Sequence, residues 1–103
     1  VPSLIPTATL TPTPVRSIVQ SEIVNSIFQN LAIKKGDTVV WTNMDDATHT
    51  ATAGTNGFPV SRGWDSGLLY INEFFEYTFT TVGSFSYTCI VHPFMNATVT
   101  VTE

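Results

Sequence analysis

Past residue 15 the chain is organised by short runs in which apolar and polar side chains alternate, the period-two pattern of strands half buried against a core. Residues 38–43 show it best: Val39, Trp41 and Asn43 share one face, which puts the indole inward just before a turn at Met44-Asp45-Asp46. Residues 73–80 place Phe75, Tyr77 and Phe79 on one face, and residues 84–89 do the same for Phe85, Tyr87 and Cys89. A less regular strand is predicted over 16–24. An apolar run through Ile27, Phe28, Leu31 and Ile33 stops at the turn signal Lys34-Lys35-Gly36-Asp37. Residues 48–53 read as an extended piece carrying His49, residues 67–70 as a short strand, and residues 96–102 as the last strand. Residues 54–65 hold three glycines, a proline and an Asn-Gly pair, and are predicted to be a loop. No segment has a convincing helical period, and no internal repeat is present. Seven or eight short strands separated by turns every eight to twelve residues predict an all-β fold, a Greek-key β-sandwich.

The N-terminal texture is different. Residues 1–14 contain four of the six prolines and four threonines, a composition that favours extended, polyproline-like geometry over a packed core. They are expected to be a tether, with the globular domain over 15–103. The chain starts at Val1, so a membrane anchor upstream of it is expected, with the domain working outside the cytoplasmic membrane, in a periplasm or on the outer face of the cell.

Of the 103 residues 43% are hydrophobic and 12% charged, the balance of one globular domain. A formal net charge of −4 provides no basic footprint for nucleic acid or an anionic membrane surface. A single cysteine excludes an internal disulfide.

That cysteine has unusual company. Cys89, His92 and Met95 stand three residues apart in Tyr87-Thr88-Cys89-Ile90-Val91-His92-Pro93-Phe94-Met95, and the one other histidine is His49. A step of three also describes one face of a helix, but Thr88, Ile90 and Val91 are β-branched and Pro93 interrupts the run, which favours a loop between strands. Thiolate, imidazole and thioether are soft ligands, and two His, one Cys and a distant axial Met form the donor set of a blue-copper electron-transfer site. Structural zinc usually takes four Cys or His ligands, and this chain has three such residues in total. A cysteine nucleophile assisted by His92 would need an oxyanion hole and an orienting group to which nothing in the sequence points.

The same residues carry a family resemblance. The run Val39-Val40-Trp41-Thr42-Asn43 leading to His49, and Gly83-Ser84-Phe85-Ser86-Tyr87-Thr88-Cys89 leading to His92-Pro93-Phe94-Met95, resemble the metal-binding segments of the cupredoxins over about residues 26–102. The short Cys-x-x-His-x-x-Met loop is most similar to the amicyanin and plastocyanin-like members. The resemblance implies one copper ion cycling between Cu(I) and Cu(II), held by His49, Cys89 and His92 in a plane with Met95 axial. It also implies Asn43 as a brace between loops and the Thr50 amide as a donor to the thiolate. The activity implied is electron carriage between a donor and an acceptor redox protein, by a monomer and not by an enzyme. Electrons would leave through His92, with Pro93, Phe94 and Phe58 forming the apolar contact.

Two positions depart from that pattern. Relatives usually have proline before the second histidine, where this chain has Val91. Its amide is expected to give the thiolate a second N–H donor and so raise the reduction potential. Asn96-Ala97 stands where a glycine is common, which could re-aim Met95 and open the axial position to a small molecule such as nitric oxide. That open site is the alternative reading. A metal-free immunoglobulin-like binding module is a third, since Trp41 and Tyr87 imitate that fold's landmarks without its second cysteine. Asn96-Ala97-Thr98 also fits the glycosylation pattern, which we take as coincidental.

Overall fold

The computed structural model describes residues 17–103. The tether expected over 1–14 lies outside the described residues. Eight strands follow one another: β1 (Ile18–Ile23), β2 (Leu31–Lys34), β3 (Thr38–Asn43), β4 (Thr52–Thr55), β5 (Phe58–Pro59), β6 (Phe74–Thr78), β7 (Gly83–Thr88) and β8 (Asn96–Thr102). They form two sheets, of order β1-β3-β6 and β2-β8-β7-β4-β5, and no helix occurs among the described residues. The fold is thus the all-β sandwich expected from the pattern. Two pairings are parallel, β1 with β3 and β2 with β8, and the others are antiparallel.

The inward faces meet in an aromatic core. Trp41 is fully buried, with Trp64 stacked at 5.8 Å, Tyr87 tilted against it at 5.3 Å and Phe79 edge-on at 6.4 Å. Ile23, Val39, Val99 and Val101 fill the space around these rings. The Tyr87 hydroxyl donates to the Gln29 carbonyl, so the aromatic two residues before Cys89 is held at both ends. Burial raises the Tyr87 pKa above its ordinary value, with opposing contributions from Trp41, Ser21 and the Gln29 carbonyl.

Two expectations change. Residues 54–65 are not all loop: Asn56 and Gly57, at φ 53° and 84°, close a two-residue hairpin turn joining β4 to β5. Residues 67–70 do not form a strand, because only Leu69 pairs, in a single bridge to His49. Between the first strand and the next apolar run, Asn25 and Ser26 both take φ 56° and fold Val24 back onto Ile27. Asparagine is among the residues that enter this left-handed region most readily.

Candidate metal centre

β7 delivers Cys89 to one end of the sandwich, and the chain then turns through His92 and Met95 before entering β8. The loop is closed by its own backbone: the Cys89 N–H donates to the Met95 carbonyl (3.2 Å) and the Met95 N–H to the His92 carbonyl (2.9 Å). The Thr88 hydroxyl donates to that same Met95 carbonyl at 3.0 Å. His49 arrives from the other side, between β3 and β4, through a reciprocal backbone pair with Leu69 (3.1 and 2.7 Å).

These two approaches bring the donor atoms of His49, Cys89 and His92 within 4.8 Å of one another. Cys89 Sγ lies 3.9 Å from His49 Nδ1 and 3.7 Å from His92 Nδ1. A metal with bonds of ~2.3 Å to sulfur and ~2.0 Å to nitrogen, spread at 120°, separates such donors by about 3.7 Å. The two sulfur–nitrogen separations therefore fit one ion shared by the thiol and both imidazoles. Met95, three residues past His92, is buried in the same core cluster as Cys89. The softness and geometry of these donors suit copper better than a hard cation.

Sequence reasoning missed what holds the first imidazole. With Nδ1 turned to Cys89, His49 Nε2 meets Asp45 Oδ2 at 2.9 Å, which fixes the tautomer as Nε2–H when Nδ1 binds. Asp45 also accepts from the amides of Asn25 (2.7 Å) and Ser26 (2.8 Å). Burial works to raise its pKa, but these two amides and the His49 ring outweigh that and hold the carboxyl below its usual value. The sequence offered one faint signal, an Asp four residues before a histidine. It reads equally well as a solvated turn.

Asn43 ties the loops before and after His49 together. It donates to the carbonyls of Ala47 (2.9 Å) and Leu69 (2.8 Å) and accepts from the Asp45 amide (2.8 Å). The Thr50 N–H donates to Cys89 Sγ at 3.3 Å. Val91 does not supply the expected second donor. Its side chain is exposed and its amide makes no hydrogen bond to Sγ, while the Ile90 amide is taken by the Thr50 hydroxyl at 2.9 Å. The change at Asn96 does not loosen the loop either. Its Oδ1 accepts from the Asn56 amide (2.7 Å) and its Nδ2 donates to the Pro93 carbonyl (3.0 Å).

Around the half-buried His92, Phe94 stands edge-on to the imidazole at 5.8 Å and is 72% exposed, and Phe58 is 76% exposed. Pro93 packs against the β4–β5 turn, where a Cβ on Gly57 would come within 2.8 Å of it.

An all-β sandwich with a His–Cys–His donor set at one end, backed by a buried methionine, defines a class of small metal-site proteins. No family model matches the chain. Amicyanin from Paracoccus denitrificans is 34% identical over 73 residues, covering 69% of this chain and 53% of the relative. Amicyanin-alpha from Methylorubrum extorquens is 32% identical over 69 residues, covering 67% and 57%. The chain thus spans little more than half the length of these curated relatives. Among solved structures, a purple cupredoxin from Nitrosopumilus maritimus superposes with a TM-score of 0.73 at 29% identity, covering 82% of this chain and 99% of that one. The reduced state of an amicyanin mutant gives 0.71 at 26%, covering 82% and 81%. The chain belongs to the cupredoxins.

Proposed function

We propose that this protein is a type 1 copper protein that passes single electrons between larger redox proteins, and that His49, Cys89, His92 and Met95 would hold the ion. The observation that carries this reading is one sulfur set 3.7 and 3.9 Å from two imidazole nitrogens, all three donors within 4.8 Å, at one end of the sandwich. Bound copper would supply a Cu(I)/Cu(II) couple. The protein residues do the rest. Asp45 and the Leu69 pairing hold His49, and the Thr50 amide hydrogen-bonds the thiolate. The loop bonds from Cys89 to Met95 keep donor positions fixed in either oxidation state. Buried Met95, with its backbone held at both N–H and carbonyl, argues against an open position for nitric oxide.

His92 is the one metal-site imidazole near solvent, and Phe94, Pro93 and Phe58 around it form the apolar contact through which electrons would leave. Charge placement supports a partner with a basic rim. Asp45 and Asp46 lie at the metal end, Lys34 and Lys35 lie beside Thr102 at the far end of β8, and Arg62 lies beside Thr80, Thr81 and Ser84. We place this exchange outside the cytoplasmic membrane. Voltammetry of the copper-loaded protein should give a reversible one-electron couple, and Phe94→Ser should slow transfer to a basic redox partner without moving that couple. An irreversible response, or turnover of nitric oxide by the loaded protein, would contradict the carrier reading.

A further inference from the structure

Beyond the donor set, a line of hydroxyl groups runs from the Cys89 loop to a carboxylate that the metal site does not use. The Ile90 amide donates to Thr50 Oγ1 (2.9 Å) and Thr50 Oγ1 lies 2.9 Å from Thr52 Oγ1. Thr52 Oγ1 in turn lies 3.0 Å from Asp65 Oδ1, which also accepts the Gly67 amide at 2.9 Å. Thr50 and Thr52 are buried, so solvent does not complete their bonding.

Counting donors shows how the line is bonded. An ionised carboxylate only accepts, and each threonine has a single O–H hydrogen. Thr52 Oγ1 shares its hydrogen between Asp65 Oδ1 and Thr50 Oγ1, and Thr50 Oγ1 accepts from both Thr52 and the Ile90 amide. With the Ile90 N–H committed to Thr50, it is not free for Cys89 Sγ. Among the described residues the Thr50 amide remains the sulfur's one backbone N–H donor. Local pairing holds the far end in place: Asp65 bridges Thr52, the Ser66 amide donates to the Ala51 carbonyl (3.1 Å), and Ser66 Oγ accepts from the Ala51 amide (2.8 Å).

We propose that Asp65 and Thr52 are positioning residues for the metal centre. Through Thr50 they anchor a hydrogen-bond chain that holds the Ile90 amide and limits the cysteine thiolate to a single backbone N–H donor. Breaking the chain frees the amide of the residue that follows Cys89. A thiolate with more hydrogen bonds gives less electron density to copper, which favours Cu(I) and raises the potential. The effect on potential rests on the copper reading above; the effect on the amide does not.

Two measurements on four variants test this. In the metal-free protein, hydrogen exchange at the Ile90 amide should speed up about tenfold in Thr52→Val and in Asp65→Ala, the scale of one weakened hydrogen bond. Thr52→Ser and Asp65→Asn keep a hydroxyl and an acceptor in place and should stay near the parent rate. In the copper-loaded protein the first two should raise the reduction potential and the conservative pair should leave it close to the parent value. The Asp65 variants change an exposed side chain, so they report even if Thr52→Val folds poorly. Unchanged Ile90 exchange in Asp65→Ala, or a Thr52→Ser that behaves like Thr52→Val, would overturn the chain. Changed exchange with an unmoved potential would overturn its role at the metal. Failure to bind copper at all would instead strike the proposed function and leave the exchange result standing.

Discussion

Single residues set the character of the site by what they touch. Asp45 joins three separate pieces, the Asn25-Ser26 turn, its own loop and the His49 ring, through bonds of 2.7 to 2.9 Å. Carboxylates that orient a metal-bound imidazole typically cost 10–100-fold in affinity when removed. Asp45→Ala should therefore lower copper affinity by roughly that factor in competition with a chelator, and an unchanged affinity would mean that the Leu69 backbone pair alone orients the ring. The candidate ligands were legible in the sequence because their rarity is itself a signal: one Cys and two His in 103 residues leave few arrangements. Asp45 and Asp65 were not legible, since each is one acid among eight and its meaning lies in a contact made through space. Val91 shows the opposite error. Its amide is present as the sequence requires, but the backbone N–H bonded to the Cys89 sulfur is that of Thr50.

At the scale of elements, the reading succeeded where period and length coincide. β3 carries the inward residues that alternation assigned, and β7, with the residue just past β6, brings Tyr87 and Phe79 onto Trp41. It failed in 54–65, where Asn-Gly was seen as a loop signal although it is also the strongest hairpin signal; two-residue β5 is too short to show alternation. That small hairpin matters, because its turn supports the metal loop. The Gly57 amide donates to Thr88 Oγ1 (2.8 Å), the Asn56 amide to Asn96, and Gly57 packs against Pro93 with no room for a Cβ. Gly57→Ala would meet that contact at φ 84°, so a loss of roughly 1–3 kcal/mol in stability is expected. Denaturant titration of the metal-free protein measures it, and a neutral result would show that the hairpin moves independently of Pro93.

Across the whole molecule, structure and charge divide the sandwich into two ends. The metal end joins a buried donor set to an exposed apolar rim with acidic neighbours, and the two described lysines lie at the other end, Lys35 paired with Glu103 at 3.3 Å. Electron transfer with a basic partner should slow as ionic strength rises past ~0.1 M, where charges more than ~10 Å apart are screened. A rate indifferent to salt would leave the apolar rim as the whole of the contact. The account stands or falls on the metal. Cu(II) titrated into the purified metal-free protein should produce an intense thiolate-to-copper absorption in the visible that saturates at one ion per chain and is absent from Cys89→Ser. A colourless complex, or a band that persists without the Cys89 sulfur, would contradict it.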